Sequence, residues 1–118
     1  MAAKDGVGRY GEKVAIRHLE ASGLEILASN WRCSEGEIDI VARERDVLVI
    51  CEVKTRSGSG YGLPAEAISR RKADRLRRLA YRWLQEHPAG GADVRFDVVS
   101  VLCPPRGAAL VEHLRAAF

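Results

Sequence analysis

Asp39, Glu52 and Lys54 are the residues of this 118-residue chain whose types and spacing could do chemistry. An acid sits inside Gly36-Glu37-Ile38-Asp39-Ile40, and an acid and an amine follow two residues apart in Glu52-Val53-Lys54-Thr55-Arg56. Successive side chains of a strand point to opposite faces, so Glu52 and Lys54 look the same way. A run that only filled a core would continue Val47 to Cys51 with another aliphatic residue, yet this one ends in a charged pair.

Ile38 to Ala42 and Val47 to Val53 read as two strands joined by the polar turn Arg43-Glu44-Arg45-Asp46. A loop of two or four residues places Asp39 opposite Ile50 or Glu52, on the face of Glu52 and Lys54; an odd loop places it on the other face. In the shared case, carboxylates about 5 Å apart repel by roughly 3 kcal/mol at an effective dielectric near 20, a large fraction of a small domain's stability. A hard divalent cation offsets that repulsion, and Mg²⁺ in particular takes one or two protein carboxylates and leaves its other positions to water and substrate phosphate. Lys54 could then activate a water or stabilise charge on a phosphate. The simpler alternative is that Lys54 only neutralises an acid at a strand end.

Glu12 is a further candidate. It precedes Ala15, Ile16 and Leu19, the apolar stripe of a helix expected from Arg9 to Ser22, by three, four and seven residues, which sets it on the inward side. A buried Glu is normally paired or ligating metal. A first-turn Glu that complements the helix dipole would need no site at all. Glu37 shares the face of Asp39 and suits either an outer ligand or a salt bridge to a neighbouring Arg.

Gly11-Glu12, Asn30-Trp31-Arg32, Gly36-Glu37-Ile38-Asp39-Ile40 and Glu52-Val53-Lys54-Thr55-Arg56, in this order, resemble the YraN family of small bacterial proteins with an endonuclease signature. That family belongs to the PD-(D/E)xK nuclease superfamily and is similar to archaeal Holliday-junction resolvases. The proline that names the superfamily motif is absent before Asp39. The resemblance implies an α/β, restriction-endonuclease-like core: a mixed five-stranded sheet flanked by helices. It further implies a Mg²⁺ or Mn²⁺ centre held by Asp39, Glu52, the backbone carbonyl of Val53 and Glu12, direct or through water, with Lys54 serving the nucleophile or the transition state. The implied reaction is phosphodiester hydrolysis, in branched or structured DNA if the likeness to resolvases extends to substrate. A non-catalytic nucleic-acid-binding protein on the same scaffold is the other reading. Resolving a four-way junction takes two cuts, so the first reading brings in a second copy of the chain.

The elements that must position these groups fit in one domain, too small for separate catalytic and recognition units. Nineteen Lys and Arg against sixteen Asp and Glu leave a mild +3 whose distribution is uneven. A helix expected from Glu66 to His87 carries Arg70, Arg71, Lys72, Arg75, Arg77, Arg78 and Arg82 against three acids. Such a comb could track a phosphate backbone, or be an ordinary solvated face, since Arg is a good helix former. Lys72 alone falls within the apolar stripe, between Ile68 and Leu76, so its amine should reach past the core edge toward the sheet. Ser57 to Pro64, with three glycines, reads as a loop over the site, and its Tyr61 could stack on a base or anchor the loop. The candidate nucleic-acid contacts are therefore Arg56, Tyr61, Arg70, Arg71, Lys72 and Arg75.

Leu24 to Arg32, Val94 to Leu102 and Ala108 to Leu114 complete the sheet as strands, and Trp31 and Trp83 read as core anchors. Three widely spaced cysteines without a Cys-x-x-Cys pair argue against structural zinc, and Cys51 reads as a small core residue. With no signal-like start and no run approaching a membrane span, the expected location is cytoplasmic.

Overall fold

A computed structural model describes residues 6–58, 68–88 and 93–118. The chain runs through helix α1 (Gly6–Ala21), strands β1 (Glu25–Cys33), β2 (Gly36–Glu44) and β3 (Val47–Ser57), helix α2 (Arg70–Glu86), and strands β4 (Asp93–Cys103) and β5 (Leu110–Leu114). The strands lie side by side in sequence order in one five-stranded sheet. Only β3 and β4 are parallel. A parallel pair needs a long crossover, and α2 lies within it. This is the α/β arrangement expected, a mixed sheet flanked by helices.

Alternation along the strands divides the apolar side chains into two layers. On one face Ala15 and Leu19 of α1 pack on Ile40, Ala42, Val49, Cys51, Val99 and Val101. On the other Leu76, Leu79, Ala80 and Trp83 of α2 pack on Ile38, Val41, Leu48 and Ile50. Trp83 meets Trp31 edge to face, with ring centroids 5.7 Å apart, and both serve as core anchors. Among the described residues no helix is long and apolar enough to cross a membrane.

Several boundaries differ from the sequence reading, each for a local reason. The β2–β3 turn holds two residues rather than four: Glu44 pairs with Val47, and Arg45 adopts φ 57. Two-residue hairpins need such left-handed backbone to follow the twist of the strands. Strand β3 continues past Val53 to Ser57 because β4 pairs with it along its whole length. Helix α2 starts at Arg70, since the Ser69 hydroxyl accepts from the Lys72 amide at 3.1 Å and caps it. Ile68, expected inside the helix, therefore precedes it. Strand β5 begins at Leu110, two residues later than expected.

The α1 face also buries a polar cluster. Asp97, fully enclosed, accepts two bonds from the Arg95 guanidinium at 2.9 Å, one from the Ala116 amide at 3.0 Å, and meets His113 Nε2 at 2.7 Å. Arg95 also donates to Glu44 at 2.8 Å. The cluster thus ties β4 to β5, to the end of β2 and to the residues after β5.

Candidate active site at the fork of β2 and β3

The paired register of β2 and β3 ends at Ile40 and Cys51. Below that point Ile38, Glu37 and Gly36 pair with β1, while Glu52 to Ser57 pair with β4. The strands part, and Asp39 spans the opening: its Oδ2 accepts from the Val53 amide at 2.9 Å. The two-residue register, carried one step further, would set Asp39 opposite Glu52, but the pairing stops short of it. Alternation lapses at the acid itself, for Ile38 packs in the α2 layer and Ile40 in the α1 layer. In the fork lies a cavity of about 280 Å³ lined by Gly8, Glu12, Glu37, Asp39, Glu52, Val53 and Thr55. Three elements therefore deliver four carboxylates to one space.

Glu12 arrives from α1, and Gly11 lets it come close enough. A Cβ at Gly11 would sit 2.0 Å from Thr55 Oγ1, so only a residue without a side chain lets the helix lie this near β3. Gly11→Ala is expected to cost roughly 1–3 kcal/mol by overpacking, despite alanine's better helix propensity. Urea unfolding measures this, and Thr55→Ala in the same chain should recover part of the loss. Glu12 is 6% exposed, and Asn30 Nδ2 donates to its Oε1 at 2.9 Å. Asn30 holds φ 53, a left-handed conformation that asparagine tolerates better than most residues. Sequence reasoning noted Asn30 within a motif and missed this role; an asparagine inside a strand run is the only local signal.

Glu52 is 6% exposed and receives two amines on the same oxygen, Oε2. Lys54 Nζ lies 3.8 Å away, and Lys72 Nζ from α2 makes a direct ion pair. Burial and the Asp39 charge push the Glu52 carboxyl above its usual range, against the pull of Lys72 and Lys54. Burial, and then the Lys72 ammonium, pull the Lys54 amine below its usual range. Cys51 next to the site is no alternative nucleophile, because burial pushes its thiol far up.

The structure brings Glu12, Asp39, Glu52 and Val53 to one cavity, with Lys54 and Lys72 on Glu52. The donors are oxygens, which fit Mg²⁺ or Mn²⁺ by chemistry. Among the described residues, however, no three His, Cys, Asp or Glu side chains converge as a ready ligand cluster. Glu37 lines the cavity and accepts from Arg32 Nε at 3.0 Å, the salt bridge expected of it. Arg56 is exposed near the end of β3, and Arg70, Arg71 and Arg75 are exposed on α2. Among the described residues no acid pairs with Arg70, Arg71 or Arg75, whereas Arg77, Arg78 and Arg82 pair with Asp74, Glu35 and Glu86. Tyr61 and most of its loop lie outside the described residues.

The chain resembles known proteins over its whole length. The model of the uncharacterised protein family UPF0102 matches residues 11–101, a span that takes in Glu12, Asn30, Asp39, Glu52, Lys54 and Lys72. A UPF0102 protein of Frankia alni is 61% identical over 118 residues, covering 100% of this chain and 98% of the relative. A UPF0102 protein of Beutenbergia cavernae is 59% identical over 115 residues, 98% of each chain. One of Streptomyces coelicolor is 56% identical and covers 98% of this chain and 90% of its own. None of these three names states an activity. The chain belongs to UPF0102, the YraN family.

Proposed function

We propose that this protein is a divalent-metal-dependent endonuclease whose centre is the β2–β3 fork. The observation that carries the reading is the burial of Asp39 and Glu52 against one cavity, with two lysine amines on Glu52. Buried like charges are costly to a small domain, and a fold that needed only a core would not keep them. Asp39 and Glu52, with the Val53 carbonyl and Glu12, would hold Mg²⁺ or Mn²⁺. Bound there, the ion would polarise a phosphate oxygen and lower the pKa of a water. The chain's own contribution is positional. Asp39 is held by the Val53 amide and Glu12 by Asn30 at the wall of the cavity, and gathering their oxygens around an ion would take side-chain movement. Lys54 Nζ, half-buried beside Glu52, can orient a water or donate to a phosphate oxygen as charge grows. Arg70, Arg71 and Arg75 would bind backbone phosphates beside it.

The substrate proposed is structured DNA, cut at a four-way junction by a pair of copies. The test is a cleavage screen with linear, flapped and four-way DNA in Mn²⁺. Cutting should disappear with EDTA and fall to background in Asp39→Ala. Failure of the metal-loaded protein to cut any of them would sink the reading. The alternative of a non-catalytic binder rests on Arg70, Arg71 and Arg75 of α2, exposed and paired with no acid among the described residues; salt-sensitive DNA binding without cutting would favour it.

A further inference from the structure

Lys72 enters the scheme above only as a partner of Glu52, and among the described residues it makes the closer of that acid's two ion pairs. Its helix crosses from β3 to β4 on the α2 face, and its position inside the apolar stripe turns the amine inward. Glu52 Oε2 is the atom it holds. An oxygen that carries an ammonium at ion-pair distance cannot also offer that lone pair to a cation. Lys54 sits on the same oxygen at 3.8 Å, a looser distance that leaves Lys72 as the principal partner. The Asp39 and Glu52 charges are thereby balanced by two amines without any metal. While the ammonium stays on Glu52 it repels an approaching dication and cancels part of the attraction of the four carboxylates around the cavity.

We propose that the Lys72 ammonium is a built-in counter-ion of Glu52, which a divalent cation must displace before it can be bound. The inference rests on the proposed metal centre and adds a gate to it. Lys72 can leave without unfolding anything: its side chain is 29% exposed and sits on a four-carbon stem in the first turn of α2. Displaced, the amine joins Arg70, Arg71 and Arg75 on the face proposed to meet phosphate. Metal loading and substrate capture would then favour each other, since a phosphate gives the displaced charge somewhere to go.

The experiment is Mn²⁺ binding to the DNA-free protein, read as free Mn²⁺ by electron paramagnetic resonance, with thermal unfolding of each variant in parallel. Lys72→Met and Lys72→Gln remove the competing charge while keeping a helix-forming side chain of similar length. Each should bind Mn²⁺ up to about fivefold more tightly than the parent chain, the effect of removing a partly exposed ion pair. Lys72→Arg restores the charge and should return affinity to the parent value. Affinity unchanged or weakened in a folded Lys72→Met or Lys72→Gln overturns the counter-ion and leaves the endonuclease reading standing. Absence of Mn²⁺ binding in all four proteins overturns both. A variant that loses its fold in Mn²⁺-free buffer makes Lys72 structural, and also overturns the proposal.

Discussion

Glu52→Gln should abolish metal-dependent cleavage and leave the protein at least as stable as before. The loss expected is about 10³-fold or more, because a ligating carboxylate and its ion supply several kcal/mol of transition-state stabilisation. The stability result has the opposite sign, and the geometry supplies the reason. Burial and Asp39 raise the Glu52 carboxyl, so the charged form is what the fold disfavours. A group raised in this way contributes stability below its unfolded pKa and loses it as pH rises through the folded one. Glutamine copies the neutral form at every pH, so the penalty is removed, although the ion pair with Lys72 goes with it. Single-turnover cleavage and urea unfolding on the same preparation decide the matter. Cleavage within tenfold of the parent would remove Glu52 from the chemistry, and a loss of several kcal/mol with cleavage intact would make it a structural residue.

The second large effect lies in the Asp97 cluster. Asp97→Ala removes the shared acceptor of Arg95, His113 and the Ala116 amide; Arg95 keeps Glu44, but donors left without an acceptor in this buried cluster cost about 1–3 kcal/mol each. Chemical denaturation should show that loss without any change in the residues of the fork. The same carboxylate predicts a pH dependence. Burial alone would raise its pKa, but His113, Arg95 and the Ala116 amide together hold it down at about 2, against an ordinary 3.8. A depressed acid contributes stability above its unfolded pKa and loses it as pH falls toward the folded one. The parent chain should therefore lose about 2 kcal/mol of stability between roughly pH 4 and pH 2, and Asn at position 97 should flatten that part of the curve. A parent and variant with parallel acid profiles would show that Asp97 does not govern this window.

The fork was legible in the sequence because period two is hard to disguise. Charged residues at 39, 52 and 54 interrupt apolar runs, which marks them out, but the alternation that would put all three on one side lapses at Asp39. Glu12 was legible for the same reason at helical period. What could not be read depends on backbone or on distant partners. The turn of two residues needed Arg45 to take a left-handed conformation, and nothing in Arg43-Glu44-Arg45-Asp46 announces which residue does so. The break of alternation between Ile38 and Ile40 comes from strands that part, a tertiary matter. Asn30 works through its φ, invisible in a strand pattern. Lys72 could be placed on an inward stripe by counting, but its bond to Glu52, twenty residues away, exists only because α2 crosses back over β3. Nothing in the sequence singles out Asp97 within the strand expected from Val94 to Leu102, because all its partners but Arg95 come from β5 and the residues beyond it.

Strand β1 is an outer strand of the sheet, a position where unpaired amides and carbonyls invite another chain to add on. Its register slips between Ile26 and Ala28, and the left-handed Asn30 follows three residues later. Both irregularities interrupt the regular row of groups that an outer strand presents. The asparagine that bonds Glu12 thus also shapes this border, so a substitution that straightened the strand there would lengthen its regular outer row while removing the bond to Glu12.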